Sequence, residues 1–174
     1  MKMMMSQTST QMPNNNVHIL GIDPGYDRCG VAIIKKEGHK ETLVFSTCIT
    51  TSKKDSLPDR FKQIGDEVTN LFLKYSPSVC AIENLFFNTN QTTAMGVAGV
   101  RGILSYIARL HDAHVLDITP LQVKDAVVGH GHATKNQVQS MVSKLIALPE
   151  KKMLDDEYDA IAVALTASAI YKNI

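Results

Sequence analysis

The sequence predicts a mixed α/β domain, and three observations carry that reading. Short apolar runs bounded by turn residues alternate with stretches at helical spacing, the alternation of strand and helix continues along the chain, and 174 residues suit one buried core. From Val17 the runs HILGID, GVAII and Thr42–Thr50 read as three consecutive strands. Over Leu57–Tyr75 the period changes: Phe61, Ile64, Val68, Leu71 and Phe72 recur at helical spacing, and Pro58 stands where a first turn tolerates it. SVCAIEN is a fourth strand running into the polar loop FFNTNQ, and Thr92–Leu110 follows as a helix thinned by Gly96, Gly99 and Gly102. HVLDI is the fifth strand. Pro120 opens a short helix, GHGHATK is a glycine-hinged loop, and Thr134 with Gln137 three residues on has the form of a capping box. Asp156–Tyr171 is so rich in alanine that a helix there can lie very close to a sheet. No internal repeat or interdomain linker interrupts residues 17–174, which are expected to form one domain behind a polar tail of residues 1–16.

Composition excludes several classes. Charged residues make up 20% and apolar residues 44%, close to average usage, which argues against a disordered, fibrous or disulfide-stapled chain. No apolar run approaches membrane-spanning length. Cys29, Cys48 and Cys80 are far apart and odd in number, neither a disulfide framework nor a zinc spacing, and the start lacks the apolar core of a secretory signal. A reducing compartment, the cytoplasm, is the expectation. With 18 basic and 17 acidic residues the net charge is +1, so bulk charge does not announce a polyanion partner.

The acids are placed unusually. Asp23 ends the strand ILGI just before Pro24-Gly25, where a carboxylate either orders its own turn or faces a ligand that the glycine lets approach. Glu83 ends VCAI, where a buried strand would ordinarily carry another aliphatic residue. In DDEYD, Asp156 and Asp159 are three apart and share a helix face, while Asp155 and Glu157 are expected to point elsewhere. Acids in a first helical turn also meet the macrodipole favourably, but that leaves the apolar company of Asp159 unexplained. Converging carboxylates repel unless a cation lies between them. Oxygen ligands without a Cys or His cluster select Mg²⁺, with Mn²⁺ as a substitute, and two such ions about 3.5–4 Å apart support in-line phosphodiester hydrolysis without a covalent intermediate.

GIDPG at 21–25, AIENLFF at 81–87, QVKDAVVGHGHATKNQV at 122–138 and DDEYDAIAVALT at 155–166 together resemble the RuvC family of bacterial Holliday junction resolvases, over about Val17 to Ile170. A lone GIDPG also occurs in sugar-kinase and actin-like proteins; the glycine-loop segment is the more specific motif. The resemblance implies a ribonuclease H-like fold with a mixed five-stranded sheet flanked by helices. It also implies a homodimer that nicks opposing strands of a four-way junction, and it raises docking to a branch-migration helicase complex. It makes Asp23 the ligand bridging two metals, Glu83 a ligand at the second strand end, and Asp156 and Asp159 the helix-borne acids; some members carry a histidine near the last of these. Asn84 stands where the family commonly has Gln, and the tail before Asn16 has no counterpart.

The remaining candidates would hold DNA. Phe86 and Phe87 either plug the core beneath their loop or stack on unpaired bases, a contact worth about 1–3 kcal/mol per base, and the resemblance sends Phe86 into the junction centre. Lys124 and Lys135 are ordinary solvated lysines by themselves; the resemblance puts both on the DNA backbone, with Arg101 a further candidate. His130 and His132 lack further ligands for zinc and are expected near the backbone as surface residues. The helix over 92–110 carries more apolar residues than one buried stripe needs, so it is either a fully buried helix or the dimer surface. A phosphotransferase of the sugar-kinase class would need a second lobe that this length does not provide; a non-catalytic junction-binding protein, or a related nuclease acting on other nucleic acid, would keep the same fold. With Asp23, Glu83 and the four acids of 155–159 set aside, 11 acids remain against 18 bases, so negative charge is concentrated where metals would neutralise it.

Overall fold

The structure is a computed structural model that describes residues 16–84 and 91–171. Five strands, β1 (Asn16–Asp23), β2 (Arg28–Glu37), β3 (Lys40–Thr50), β4 (Val79–Glu83) and β5 (His114–Ile118), form one sheet in the order β3-β2-β1-β4-β5. The first three are antiparallel neighbours; β1–β4 and β4–β5 are parallel. Two parallel pairs need crossovers, which α1 (Leu57–Tyr75) and α2 (Gln91–Leu110) supply; α3 (Pro120–Val128), α4 (Lys135–Leu145) and α5 (Asp155–Ile170) complete the chain. The mixed five-stranded sheet flanked by helices is therefore the fold the sequence predicts. β1 already includes Asn16, and the rest of the predicted tail lies outside the described residues.

Helix ends follow from their caps. Ser56 accepts from the Asp59 N–H at the start of α1, with Pro58 in the first turn. Both Thr119–Gln122 and Thr134–Gln137 close reciprocal capping boxes, so α3 and α4 start where the sequence places them.

The sheet has two differently packed faces. Leu20, Ile22, Val31, Ile33, Cys80 and Ile82 pack with Ile64, Val68, Phe72 and Leu104 of α1 and α2. The alternate residues Ile19, Ala32, Ile34, Val79 and Ala81 pack with α3, α4 and the alanines of α5. On that second face Gly21 has no room for a side chain: a Cβ there would lie 2.6 Å from the Ala164 nitrogen and 2.7 Å from its Cβ. Gly30 is likewise closed off by the backbone of Asp156. Among the three thiols, Cys29 and Cys80 are buried and Cys48 is half-buried, all unpaired; burial pushes the Cys29 thiol up to about 12 and raises Cys80 as well. No described helix is long and apolar enough to cross a membrane.

Candidate active site

Strand alternation builds the site. Ile19, Gly21 and Asp23 share the α5-facing side of β1, and Val79, Ala81 and Glu83 share that side of β4, so both acids continue rows whose earlier members are packed under α5. Ile22 pairs with Ile82 in the parallel ladder, so Asp23 and Glu83 follow on neighbouring strands at the same sheet edge. Because Gly21 and Gly30 carry no side chain, the first turns of α5 reach the sheet and bring Asp159 to the two strand acids.

The electrostatics record the crowding. Burial, then the neighbouring Glu83 and Asp159, push the Asp23 carboxyl up to about 7, against an ordinary 3.8. Burial and Asp159 likewise push Glu83 up to about 6, although a hydrogen bond from Asp23 and the positive charges of Lys135 and Arg101 work the other way.

Two cations face the acids of α5. Lys135 Nζ is 2.7 Å from Asp159 and 3.2 Å from Asp155. Burial opposes its charge, but hydrogen bonds to Asp159 and Asp155 outweigh it and raise its pKa. Arg28 ion-pairs with both Asp155 and Asp156. Asp155 therefore does not point away as the sequence reading had it: four residues before Asp159, it shares the same lysine, whose hydrogen bond holds it below the ordinary carboxylate range. Glu157 does point elsewhere, into a buried contact with the Ser46 hydroxyl and Lys151, behind the site.

Among the described residues no three Asp, Glu, His or Cys side chains stand as a ready-made ion cage, since Asp156 and Asp159 are turned onto Arg28 and Lys135. The donor set still fits a hard cation. Half-buried, crowded carboxyls whose pKa values are raised by desolvation and mutual repulsion, with oxygen donors alone, are what a divalent ion would relieve. Asp23, Glu83 and Asp159 are the residues that would hold such an ion, with Asp156, now paired with Arg28, as a further candidate ligand.

A cavity of about 250 Å³ opens beside these acids, lined by Glu83, Lys124, Lys135 and Asp159 with Pro120, Val123 and Val138. Lys124 and Lys135 thus share one opening with Glu83 and Asp159. Arg101 does not reach out to it. Its side chain is 16% exposed and its guanidinium donates to the Glu83 carbonyl and pairs with Asp117, which braces the strand end. His130 and His132 are exposed on the α3–α4 loop. Phe86 and Phe87 lie outside the described residues. Arg28 was missed, because a single arginine at a strand start carries no sequence signal; only its ion pairs reveal it.

The family model described as crossover junction endodeoxyribonuclease RuvC matches residues 19–167. The crossover junction endodeoxyribonuclease RuvC of Alkaliphilus metalliredigens is 46% identical over 147 residues, spanning 84% of this chain and 90% of that protein. That of Thermosipho melanesiensis is 41% identical over 146 residues, spanning 84% and 93%. Among solved structures, Thermus thermophilus RuvC in complex with Holliday junction substrate superposes with a TM-score of 0.82 at 30% identity, covering 87% of this chain and 93% of that one. The yeast mitochondrial Holliday junction resolvase Ydc2, 17% identical with a TM-score of 0.61 over 87% of this chain and 76% of that one, shares the fold.

Proposed function

The chain belongs to the RuvC family of crossover junction endodeoxyribonucleases, and from that membership we propose how its own residues resolve a Holliday junction. The observation that supports the mechanism is the meeting of Asp23, Glu83, Asp159 and Lys135 at one sheet edge beside an open cavity.

Divalent ions, Mg²⁺ with Mn²⁺ as a substitute and two per site, supply a polarised water and a counter-charge for the leaving oxygen when bound. The protein's part is orientation and charge. Asp23, central among the acids, and Glu83 are fixed at the ends of hydrogen-bonded strands, so little motion is needed to assemble the ligands. Asp156 and Asp159, which α5 presents and which pair with Arg28 and Lys135, would complete the oxygen donor set for the metal. Lys135, at the first turn of α4, would face a phosphate oxygen, where the helix N-terminus adds favourable dipole, and Lys124 would contact the backbone across the same opening. Among the described residues lining the cavity there is no Ser, Thr or Cys to act as a nucleophile, and we assign the attack to water. We assign Phe86 and Phe87 to unpaired bases at the junction.

A homodimer gives two identical sites for a substrate that is nearly two-fold symmetric. α2 supplies a surface for it. Val97, Val100, Leu104, Ile107 and Ala108 are buried, yet Met95 (77% exposed), Ala98, Gly102 and Tyr106 (65%) form a second stripe at helical spacing. The helix is therefore not buried all round, and its second face is the one we assign to the dimer. We place the enzyme in the cytoplasm and leave a helicase partner to binding experiments.

One assay tests the mechanism: a synthetic four-way junction with Mg²⁺, beside a linear duplex, an RNA–DNA hybrid and a Glu83→Gln control. Symmetric nicks confined to the junction are expected, and the control should bind the junction while cleaving about 10²–10³-fold more slowly, the scale of losing one main electrostatic stabiliser. Equal cutting of all substrates would defeat junction selectivity, and a fully active control would defeat the assignment of Glu83.

A further inference from the structure

Both strand-end acids are referenced to α2. Arg101 of α2 donates to the carbonyl of Glu83 itself. The turn after Asp23 reaches the same helix through Tyr26, whose ring lies so close to Gly96 that a Cβ there would be 2.7 Å from two ring carbons.

Arg60, in the first turns of α1, holds that turn in place. It faces inward, with only 8% of its side chain exposed, and burying a guanidinium is costly unless its donors are met. Its partners lie in or against the residues just past Asp23. Nε donates to Thr51 Oγ1 at 2.8 Å, Nη2 donates to the Tyr26 carbonyl at 2.8 Å, and Asp27 closes an ion pair. The guanidinium carbon lies 4.8 Å from the centroid of the Tyr26 ring. Thr51 adds to the lock: its hydroxyl also donates to the Tyr26 carbonyl, and its N–H donates to the Asp27 carbonyl at 3.1 Å. Tyr26 is therefore wedged between a buried cation and the backbone of α2.

We propose that Arg60 is a positioning residue for the metal-binding carboxylates: by clamping Tyr26 and Asp27 against α2, the helix that also holds Glu83, it fixes the Asp23–Glu83 spacing. The proposal rests on the reading of Asp23 and Glu83 as metal ligands. A loosened turn would leave the β1–β4 ladder, whose last pair is Ile22 with Ile82, intact but let the Asp23 end move relative to Glu83, and ligand spacing is what a small, geometrically demanding cation reads.

The test uses the full chain and measures Mn²⁺ binding directly, by the electron paramagnetic resonance of free Mn²⁺, beside junction binding in chelator and melting temperature. Arg60→Met keeps length and removes charge and donors. It is expected to weaken Mn²⁺ binding at least 10-fold and to raise the Mg²⁺ needed for half-maximal cleavage in parallel. Junction affinity without metal should stay within twofold of wild type, and Arg60→Lys should recover part of the loss. A lower melting temperature with unchanged Mn²⁺ affinity would overturn the proposal, leaving Arg60 a structural residue. If Arg60→Met does not fold, Gly96→Ala gives the answer: its methyl displaces Tyr26 while Arg60 remains, and an unchanged Mn²⁺ affinity there overturns the clamp. Wild type that binds no Mn²⁺ would sink the metal reading and the proposal together, whereas equal binding by wild type and variants sinks only the clamp.

Discussion

The two faces of the sheet are packed in opposite styles. Against α1 and α2 the contacts are bulky, with Ile22, Ile33, Phe72 and Leu104 almost wholly buried. Against α5 they are small: glycine at 21 and 30 meets Ala160, Ala164 and the backbone of Asp156. Large side chains hold a helix further from the sheet, whereas the glycine and alanine contacts let α5 lie close. The second face still buries Ile19, Ile34 and Ile161 completely, so both faces stabilise the fold. What the second face adds is the close approach that sets Asp159 beside Asp23.

Three changes would break or sharpen that contrast. Gly21→Val has the largest expected effect, because its side chain would occupy the backbone of α5, which cannot rotate aside as a side chain can. Little soluble folded protein should form, and a stable, fully cleaving Gly21→Val protein would show that the close approach is dispensable. Leu104→Ala, on the other face, should cost about 2–5 kcal/mol in denaturant unfolding while cleavage per folded molecule stays within about twofold of wild type. If cleavage falls in step with stability, positioning of the acids is not particular to the second face.

The smallest effect is a pH dependence. With Asp23 at about 7 and Glu83 at about 6 in the folded chain, against 3.8 and 4.5 ordinarily, the folded state binds more protons than the unfolded state between pH ~4 and ~7. Metal-free stability should therefore fall as pH rises through that window. Glu83→Gln removes one of the interacting charges, so it should raise metal-free stability at pH 8 by about 1–2 kcal/mol and by almost nothing near pH 4. Thermal melts in chelator at the two pH values measure the difference; a destabilised variant at pH 8 would show that the acids do not strain the fold.

Most of this architecture was legible in local chemistry. The caps at Ser56, Thr119 and Thr134, the prolines in first turns and the alternating strands mark elements whose ends follow from neighbouring residues. Asp23 and Glu83 stood out because a strand-end acid breaks an apolar pattern. Arg28, Arg60 and the inward use of Arg101 were not legible, because each depends on partners far along the chain, Asp155, Asp27 and Asp117 with Glu83. Asp155 was misjudged for the same reason: helical periodicity gives its direction relative to Asp159, but not the position of Lys135 on another helix.

The cysteines turn this geometry into an optical handle. Asp23 pairs with Gly30 and Gly30 with Cys48, so the one partly accessible thiol sits in the same cross-strand row as the central carboxylate. Two strand spacings, about 10 Å, separate them. Cys29 and Cys80 are buried thiols that a folded-state reagent does not reach. A thiol-reactive fluorophore therefore reads the edge of the active site in the natural sequence, with no engineered cysteine and no background to subtract.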